Sequence, residues 1–433
     1  MNKLFAILGV LSAIFPVNAQ ELYFPSTVGN DWDTIAPSDL GWCADRIYSL
    51  YGMLEENDTH AFIILKDGKI VLEKYFAPFG QDSIWYWASA GKSLTAFLVG
   101  IAQEQGHLLI TDTTSDYLGQ GWSSCSANED EMTIRHQLTM TTGFDDGVED
   151  PYCTMNTCLV CLAEPGTRWA YHNAPYTLLD GVIGSAANQS LNGFLQTRVT
   201  DLTGINGLFL PVGYNNVFFS KARSMARFGL LMLNKGKWGN VDILGDSDYY
   251  DQMVSTSQEY NKAYGYLWWL NGKESYMIPG LQFVFSGSLM PNAPDDMIAA
   301  LGKNGQYINV VPSQNLVVIR MGDAPSSVEV PFLLNDKIWE YINDLECFTA
   351  TNNLKQVSSS CSIYPNPSSG NFKVNLPGHA FDMTLYNDIG ESLMVRLNCK
   401  DSEVVNRKLP PVIYFLNIHS EAGSFVKKIV VGN

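Results

Sequence analysis

The stretch Trp85-Tyr86-Trp87-Ala88-Ser89-Ala90-Gly91-Lys92-Ser93-Leu94-Thr95-Ala96-Phe97-Leu98-Val99-Gly100 decides how the chain is read. From Ser89 to Gln105 there is no proline, and Lys92, Ala96, Val99 and Gly100 fall along one stripe, which predicts a helix opening near the serine. Residues three apart on a helix share a face, so the Lys92 amine reaches the Ser89 hydroxyl. Acyl transfer needs a nucleophile, a base to take its proton and donors for the oxyanion. Here nucleophile and base come together, provided that burial or a neighbouring cation lowers the amine's pKa, and the helix start adds free backbone N–H groups. Trp85, Tyr86 and Trp87 would wall such a site off from water.

Alone, the spacing decides little. Ser424-Phe425-Val426-Lys427 repeats it near the C-terminus, and Tyr-x-Asn occurs five times, at Tyr171, Tyr214, Tyr307, Tyr341 and Tyr364. The surroundings carry the argument. Upstream, Ala61 to Leu65 and Ile70 to Phe76 are joined through Lys66-Asp67-Gly68-Lys69, a hairpin signal. Downstream, Gln306 to Val311 and Leu316 to Met321 flank Pro312-Ser313-Gln314-Asn315, a second hairpin, and Val328 to Leu345 reads as a closing helix. Strands at both ends with helices between predict an α+β domain, an antiparallel sheet flanked by helices plus an all-helical subdomain.

In this order the chain resembles the serine β-lactamase, esterase and D-alanyl-D-alanine carboxypeptidase superfamily, the penicillin-binding-protein-like hydrolases, from about Trp42 to Asp344. Met132 to Gly143 is similar to the family's helix and turn after the serine motif. Glu164-Pro165-Gly166-Thr167 precedes Tyr171-His172-Asn173, the usual lead into the second motif. Ser220 to Gly229 resembles a further helix and Tyr264 to Trp269 a later one. The resemblance implies that Tyr171 sits against Ser89 and Lys92 and shares the proton work, and that Asn173 hydrogen-bonds Lys92 or the substrate.

The family's third motif, on the strand beside the serine, has two registers here. Aligning on the second hairpin places it at Ala300-Leu301-Gly302, making the backbone N–H groups of Ser89 and Lys303 the oxyanion hole. The literal register, Lys303-Asn304-Gly305, makes Lys303 a carboxylate-binding cation and Gln306 the N–H donor. The first is preferred, and without that cation esters and uncharged or linear amides are favoured over β-lactams and D-alanyl peptides. The resemblance is then to the esterase and 6-aminohexanoate-oligomer-hydrolase side of the superfamily. β-Lactamase or D-alanyl-D-alanine carboxypeptidase activity is the alternative, and a non-catalytic peptide- or glycan-binding protein on the same fold is a second.

The two ends concern location. Lys3, the apolar run Leu4 to Phe15, and Val17-Asn18-Ala19 read as a signal peptide over 1–19, too short to cross a bilayer. The hydrolase domain is expected over 20–348, and the polar stretch 349–362 reads as a linker. From 363 to 433 a small β-sandwich-like domain is expected. Its Tyr364-Pro365-Asn366-Pro367 and closing Lys427-Lys428-Ile429-Val430-Val431 resemble the C-terminal sorting domain of the type IX secretion pathway. That resemblance implies handling by the type IX machinery and release or attachment at the cell surface.

Composition excludes other classes. Asp and Glu outnumber Lys and Arg by 44 to 27, a net charge of -17 with no basic patch, which argues against a nucleic-acid partner. The six histidines (60, 107, 136, 172, 379, 419) form no i, i+4 pair, so neither metal nor other cofactor is expected. No Gly-x-Ser-x-Gly elbow supports a Ser-His-Asp triad using His136 or His172. The eight cysteines suit an oxidising compartment: local bridges are expected within Cys125 to Cys161, with Cys43–Cys347 and Cys361–Cys399 as further candidate pairs.

Overall fold

A computed structural model describes residues 22–323, 330–347, 357–421 and 423–432. The expected signal peptide, and the expected linker up to residue 356, lie outside the described residues. The chain divides into two compact units, one ending at Leu345 and the other beginning at Glu346.

In the first unit, β1 (Thr59–Lys66) and β2 (Lys69–Tyr75) form the first hairpin. Asp67 and Gly68 at its tip both have positive φ, 51° and 82°, as a two-residue turn matching the strand twist requires. A short sheet follows from β3 (Trp85–Tyr86), β4 (Gly207–Val212) and β5 (Asn215–Ser220). Then come β6 (Trp269–Leu270), β7 (Ile298–Gly302), β8 (Gln306–Val311) and β9 (Leu316–Gly322). The main sheet runs β2-β1-β9-β8-β7-β6 and is antiparallel throughout. Ile63 and Ile64, whose side chains point to opposite faces, are both fully buried, so helices cover the sheet on each side.

The longer helices of this unit are α1 (Ala44–Glu56), α2 (Gly91–Glu104), α3 (Asn173–Ala187), α4 (Ala222–Leu233) and α5 (Phe332–Asn343). α4 lies on β1, β8 and β9. Its Gly229 allows the close approach, because a Cβ there would run into Val317 Cγ1 and stand 3.2 Å from Ile308 Cγ2. α2 packs against α3 and β7, which sets the serine segment between the sheet and the helical subdomain. Within that subdomain the helix Ile134–Leu138 is closed by a capping box in which Thr133 and His136 satisfy each other's backbone N–H, so His136 serves as a helix cap.

Two expectations are corrected. Tyr264 to Trp269 is not a helix but a loop entering β6: Leu267 has φ of 57° and its N–H bonds Leu138 O. A Cβ on Gly265 would strike Met253 O, so the backbone is pressed against a neighbouring segment where no helix fits.

The second unit is one five-stranded sheet of β10 (Ser362–Tyr364), β11 (Asn371–Tyr386), β12 (Ser392–Asn406), β13 (Ile413–Ser420) and β14 (Gly423–Val430). Alternate residues Tyr414, Leu416 and Ile418 of β13 turn inward, the period-2 pattern of a half-buried strand. The second correction falls here. Cys125–Cys161 and Cys153–Cys158 are bridged, and Cys43 and Cys347 are disulfide-bonded, but Cys361 and Cys399 are buried free thiols. Val374 of β11 pairs with Ile363 of β10 on one side and Glu403 of β12 on the other. The strands that carry or adjoin the two cysteines are therefore two spacings apart, about 9.5 Å, beyond the Cα separation a disulfide spans.

Candidate functional site

Trp87 anchors the segment that presents the serine. It is fully buried, its backbone N–H bonds Phe218 O at 2.8 Å, and its indole N–H bonds Ser220 Oγ at 2.7 Å, so β5 holds it from two directions. Ala88 then takes φ of 46°, the left-handed region an alanine rarely adopts, and a single tight turn, Ala88–Ala90, leads into α2. Backbone strain is thus concentrated one residue before Ser89.

Lys92, in the first turn of α2, is buried. Its Nζ lies 2.7 Å from Ser89 Oγ and 2.7 Å from Asn173 Oδ1. Asn173 is the first residue of α3 and is buried too. Aromatic rings complete the shell, with Nζ 4.0 Å from the centroid of Tyr176 and 5.1 Å from that of Tyr171. Such ring faces favour a cation, while burial disfavours one. Tyr171 is itself buried and stacks on Trp269 at 5.7 Å, which fixes the ring beside the Lys92 amine. His172, between Tyr171 and Asn173 in sequence, is buried and neutral at physiological pH, because desolvation pulls its pKa down to about 4.

β7 closes the site from the other side. A Cβ on Gly302 would lie 2.5 Å from Trp87 O and 3.0 Å from Ala90 N, so the end of this strand runs against the serine's own turn. Lys303 follows in a short turn, exposed, whose Asn304 has φ of 61°. Asn304 Nδ2 donates to Tyr86 Oη at 2.7 Å and to Asp323 Oδ1 at 3.2 Å. Buried Arg320 pins the turn from below by donating to the carbonyls of Asn304 and Gly305. Gln306 stands opposite Gly302 in the β7–β8 register, and its side-chain amide bonds both the N–H and the C=O of Gly322. That amide is a tie within the sheet.

Ser89, Lys92, Asn173 and Lys303 line one cavity of about 260 Å³. Its remaining walls are Tyr86, Ala88, Tyr152 and Tyr176 with Val212, Asn215, Val217 and Phe219 of the β4–β5 hairpin, and no acidic residue lines it. The sequence reading had Tyr86 as a wall but missed the hairpin and Tyr152. Tyr176, three residues after Asn173, is the wall that helical spacing could have revealed. Among the described residues no cluster of His, Cys, Asp and Glu could hold a metal ion, and no helix is long and apolar enough to cross a membrane.

A serine and a buried lysine at hydrogen-bond distance, with an asparagine on the next helix and a strand end against the serine's turn, is the arrangement that the family comparison then meets. Residues 55–341 match the beta-lactamase family. The chain belongs to that family. Residues 362–432 of this beta-lactamase family member match the secretion system C-terminal sorting domain, which points to secretion or the cell surface and implies contact with the secretion machinery. No match is found among curated proteins.

Solved structures share the family's fold at low identity. A candidate 6-aminohexanoate-dimer hydrolase from Bacillus anthracis is 18% identical with a TM-score of 0.55, over 73% of this chain and 89% of its own. A penicillin-binding protein homologue from Caulobacter crescentus is 13% identical with a TM-score of 0.54, over 70% of this chain and 98% of its own. A family VIII carboxylesterase, at 14% identity and a TM-score of 0.54, is matched over 70% of this chain and 99% of its own. At such identities the likeness is one of fold, and the family is one of hydrolases.

Proposed function

We propose that this protein hydrolyses an ester or amide through an acyl-enzyme on Ser89. The observation that carries the reading is the 2.7 Å separation of Lys92 Nζ and Ser89 Oγ at the floor of a cavity, with Lys92 buried and held by Asn173. As a neutral amine Lys92 gives one N–H to Asn173 and keeps its lone pair for the serine proton.

Ser89 Oγ attacks the carbonyl carbon and its proton passes to Lys92, leaving an ammonium. The carbonyl electron pair moves to oxygen, where the backbone N–H groups of Ser89 and Lys303 receive the charge. Collapse restores the carbonyl and breaks the bond to the leaving alcohol or amine. Tyr171 hands that group a proton and is reprotonated from Lys92. A water molecule then attacks acyl-Ser89 in the same way, releasing the carboxylic acid and free Ser89. The closeness of Gly302 to the serine's turn favours Ala300-Leu301-Gly302 as the third motif, and the engagement of the Gln306 amide with Gly322 speaks against a substrate role for its side chain.

One observation favours a second reading, β-lactamase or D-alanyl-D-alanine carboxypeptidase activity: Lys303 lines the cavity, where its ammonium would pair with a substrate carboxylate. In either case the hydrolase domain is taken as 20–348 and the sorting domain as 363–433, with export through a signal peptide over 1–19.

The test is labelling by a fluorophosphonate probe, with turnover of p-nitrophenyl esters and a chromogenic cephalosporin, on wild type, Ser89→Ala and Lys92→Ala. Serine-dependent labelling and faster ester than cephalosporin turnover are expected, with both variants reduced by at least about a thousandfold. Faster cephalosporin turnover moves the second reading ahead. No labelling and no turnover would leave a binding protein on this fold.

A further inference from the structure

The short sheet beside the serine has two unlike faces. Phe209 and Phe218, paired across β4 and β5, are buried in the core with ring centroids 5.0 Å apart. Residues directly opposite in an antiparallel pair share a face, so the other face carries Tyr86 with Phe219, Leu208 with Phe219, Leu210 with Val217, and Val212 with Asn215. Tyr86, Phe219, Val217 and Val212 line the cavity that holds Ser89. Leu208 and Leu210 lie on the same face, and Leu208, Leu210 and Val212 are 51%, 43% and 49% exposed.

A wall of the reaction cavity therefore continues as an apolar ribbon open to water. From Val212 to Leu208 it runs about 13 Å. Three aliphatic side chains in a row on one strand face cost solvation free energy unless something covers them. The near end of this face lines the same cavity as Ser89, so a group bonded to that serine would lie against it.

We propose that the ribbon binds the apolar chain of a medium-length aliphatic acyl group, so that the natural substrate is an ester or amide of such an acid. The inference rests on the acyl-enzyme reading of Ser89. Between the two half-reactions the acyl group alone remains attached, with Val212, Val217 and Phe219 as its walls. A short acyl group ends inside the cavity; a longer one can extend onto Leu210 and Leu208, which continue the same apolar face. Leu208 and Leu210 are specificity-determining positions, remote from the proton chemistry at Lys92 and Tyr171.

The experiment compares kcat/KM for p-nitrophenyl butyrate, octanoate and dodecanoate on wild type and Leu208→Ser/Leu210→Ser. In wild type the rate constant rises severalfold from butyrate to the longer esters, and in the double variant the ratio of dodecanoate to butyrate falls at least about tenfold, as loss of several buried methylene contacts requires. An unchanged ratio overturns the proposal while leaving the acyl-enzyme intact. If no ester is turned over at all, the acyl-enzyme reading has failed, and the ribbon is tested alone by binding of a fluorescent dodecanoate analogue to the full chain: tighter binding by wild type than by the double variant supports it, equal binding overturns it. Sedimentation of wild type and variant identifies self-association, and a wild-type dimer that dissociates in the double variant with no change in chain-length ratio assigns the ribbon to a second copy instead.

Discussion

Asn173 Oδ1 lies 2.7 Å from Lys92 Nζ although the two residues are 81 positions apart, so the helical subdomain holds the lysine of the serine helix. A neutral amide there fixes the amine without adding charge. Asn173→Asp would place a carboxylate against Lys92 and favour the ammonium, which cannot accept the serine proton. The expected result is a loss of kcat/KM of about ten- to a hundredfold at pH 7, with the acidic, rising limb of the pH–rate profile moved to higher pH so that part of the activity returns there. Asn173→Ala should lose activity without that upward shift. A profile that keeps its wild-type pH dependence in the aspartate variant would sever Asn173 from the base.

Gly302 makes a different demand, that of space. A Cβ at this position lies 2.5 Å from Trp87 O and 3.0 Å from Ala90 N, and both are backbone atoms that cannot swing aside. Gly302→Ala should push the end of β7 off the serine turn and cost about a hundredfold in kcat, the scale of losing one oxyanion donor. KM for short esters should change far less. Wild-type kcat in this variant would mean that the strand end supplies no donor.

Much of this site was legible because its first half is local. Ser89 and Lys92 stand three apart in a helix without proline, and the turn Asp67-Gly68 announces its hairpin through residues that tolerate positive φ. The resemblance brought in Asn173, which no spacing relates to Lys92. The unlike parts were those set by packing between distant segments. Val212, Val217 and Phe219 reach the cavity because β5 pairs with the two residues of β3, a contact with no sequence signature. Tyr264 to Trp269 carries helix-compatible residues, but aromatic packing against Tyr171 and the backbone contact of Gly265 override that preference. Cys361 and Cys399 illustrate the limit of counting: an even number of cysteines says nothing about which strands lie side by side.

The disulfides of the helical subdomain should differ in weight. Cys125–Cys161 closes a separation of 36 residues and Cys153–Cys158 one of 5. In the chain-entropy account the longer loop stabilises by about 4 kcal/mol and the shorter by about 2 kcal/mol. Paired serine variants, Cys125→Ser/Cys161→Ser and Cys153→Ser/Cys158→Ser, should separate in urea unfolding in that order. Equal losses would show that loop closure is not what these bridges contribute.

Asp180 sets a pH dependence opposite to that of ordinary paired carboxylates. It lies on α3, almost wholly buried; its Oδ2 accepts from Asn216 Nδ2 of β5 at 2.9 Å, while its Oδ1 is buried without a hydrogen-bond partner. Burial raises its pKa from 3.8 to about 7, opposed only in part by the Asn216 bond. Below pH 3.8 the folded and unfolded states both hold this proton and the group costs nothing. Between there and pH 7 the folded state retains a proton that the unfolded state has released, so stability falls as pH rises, by up to about 4 kcal/mol in total. Asp180→Asn keeps an acceptor for Asn216 and has no proton to lose. Its Tm should match wild type near pH 4 and exceed it at pH 8, a difference that scanning calorimetry of the full chain at the two pH values would read. A variant less stable than wild type at pH 8 would mean that the carboxylate is paired in the folded protein and that Asn216 is not its main partner.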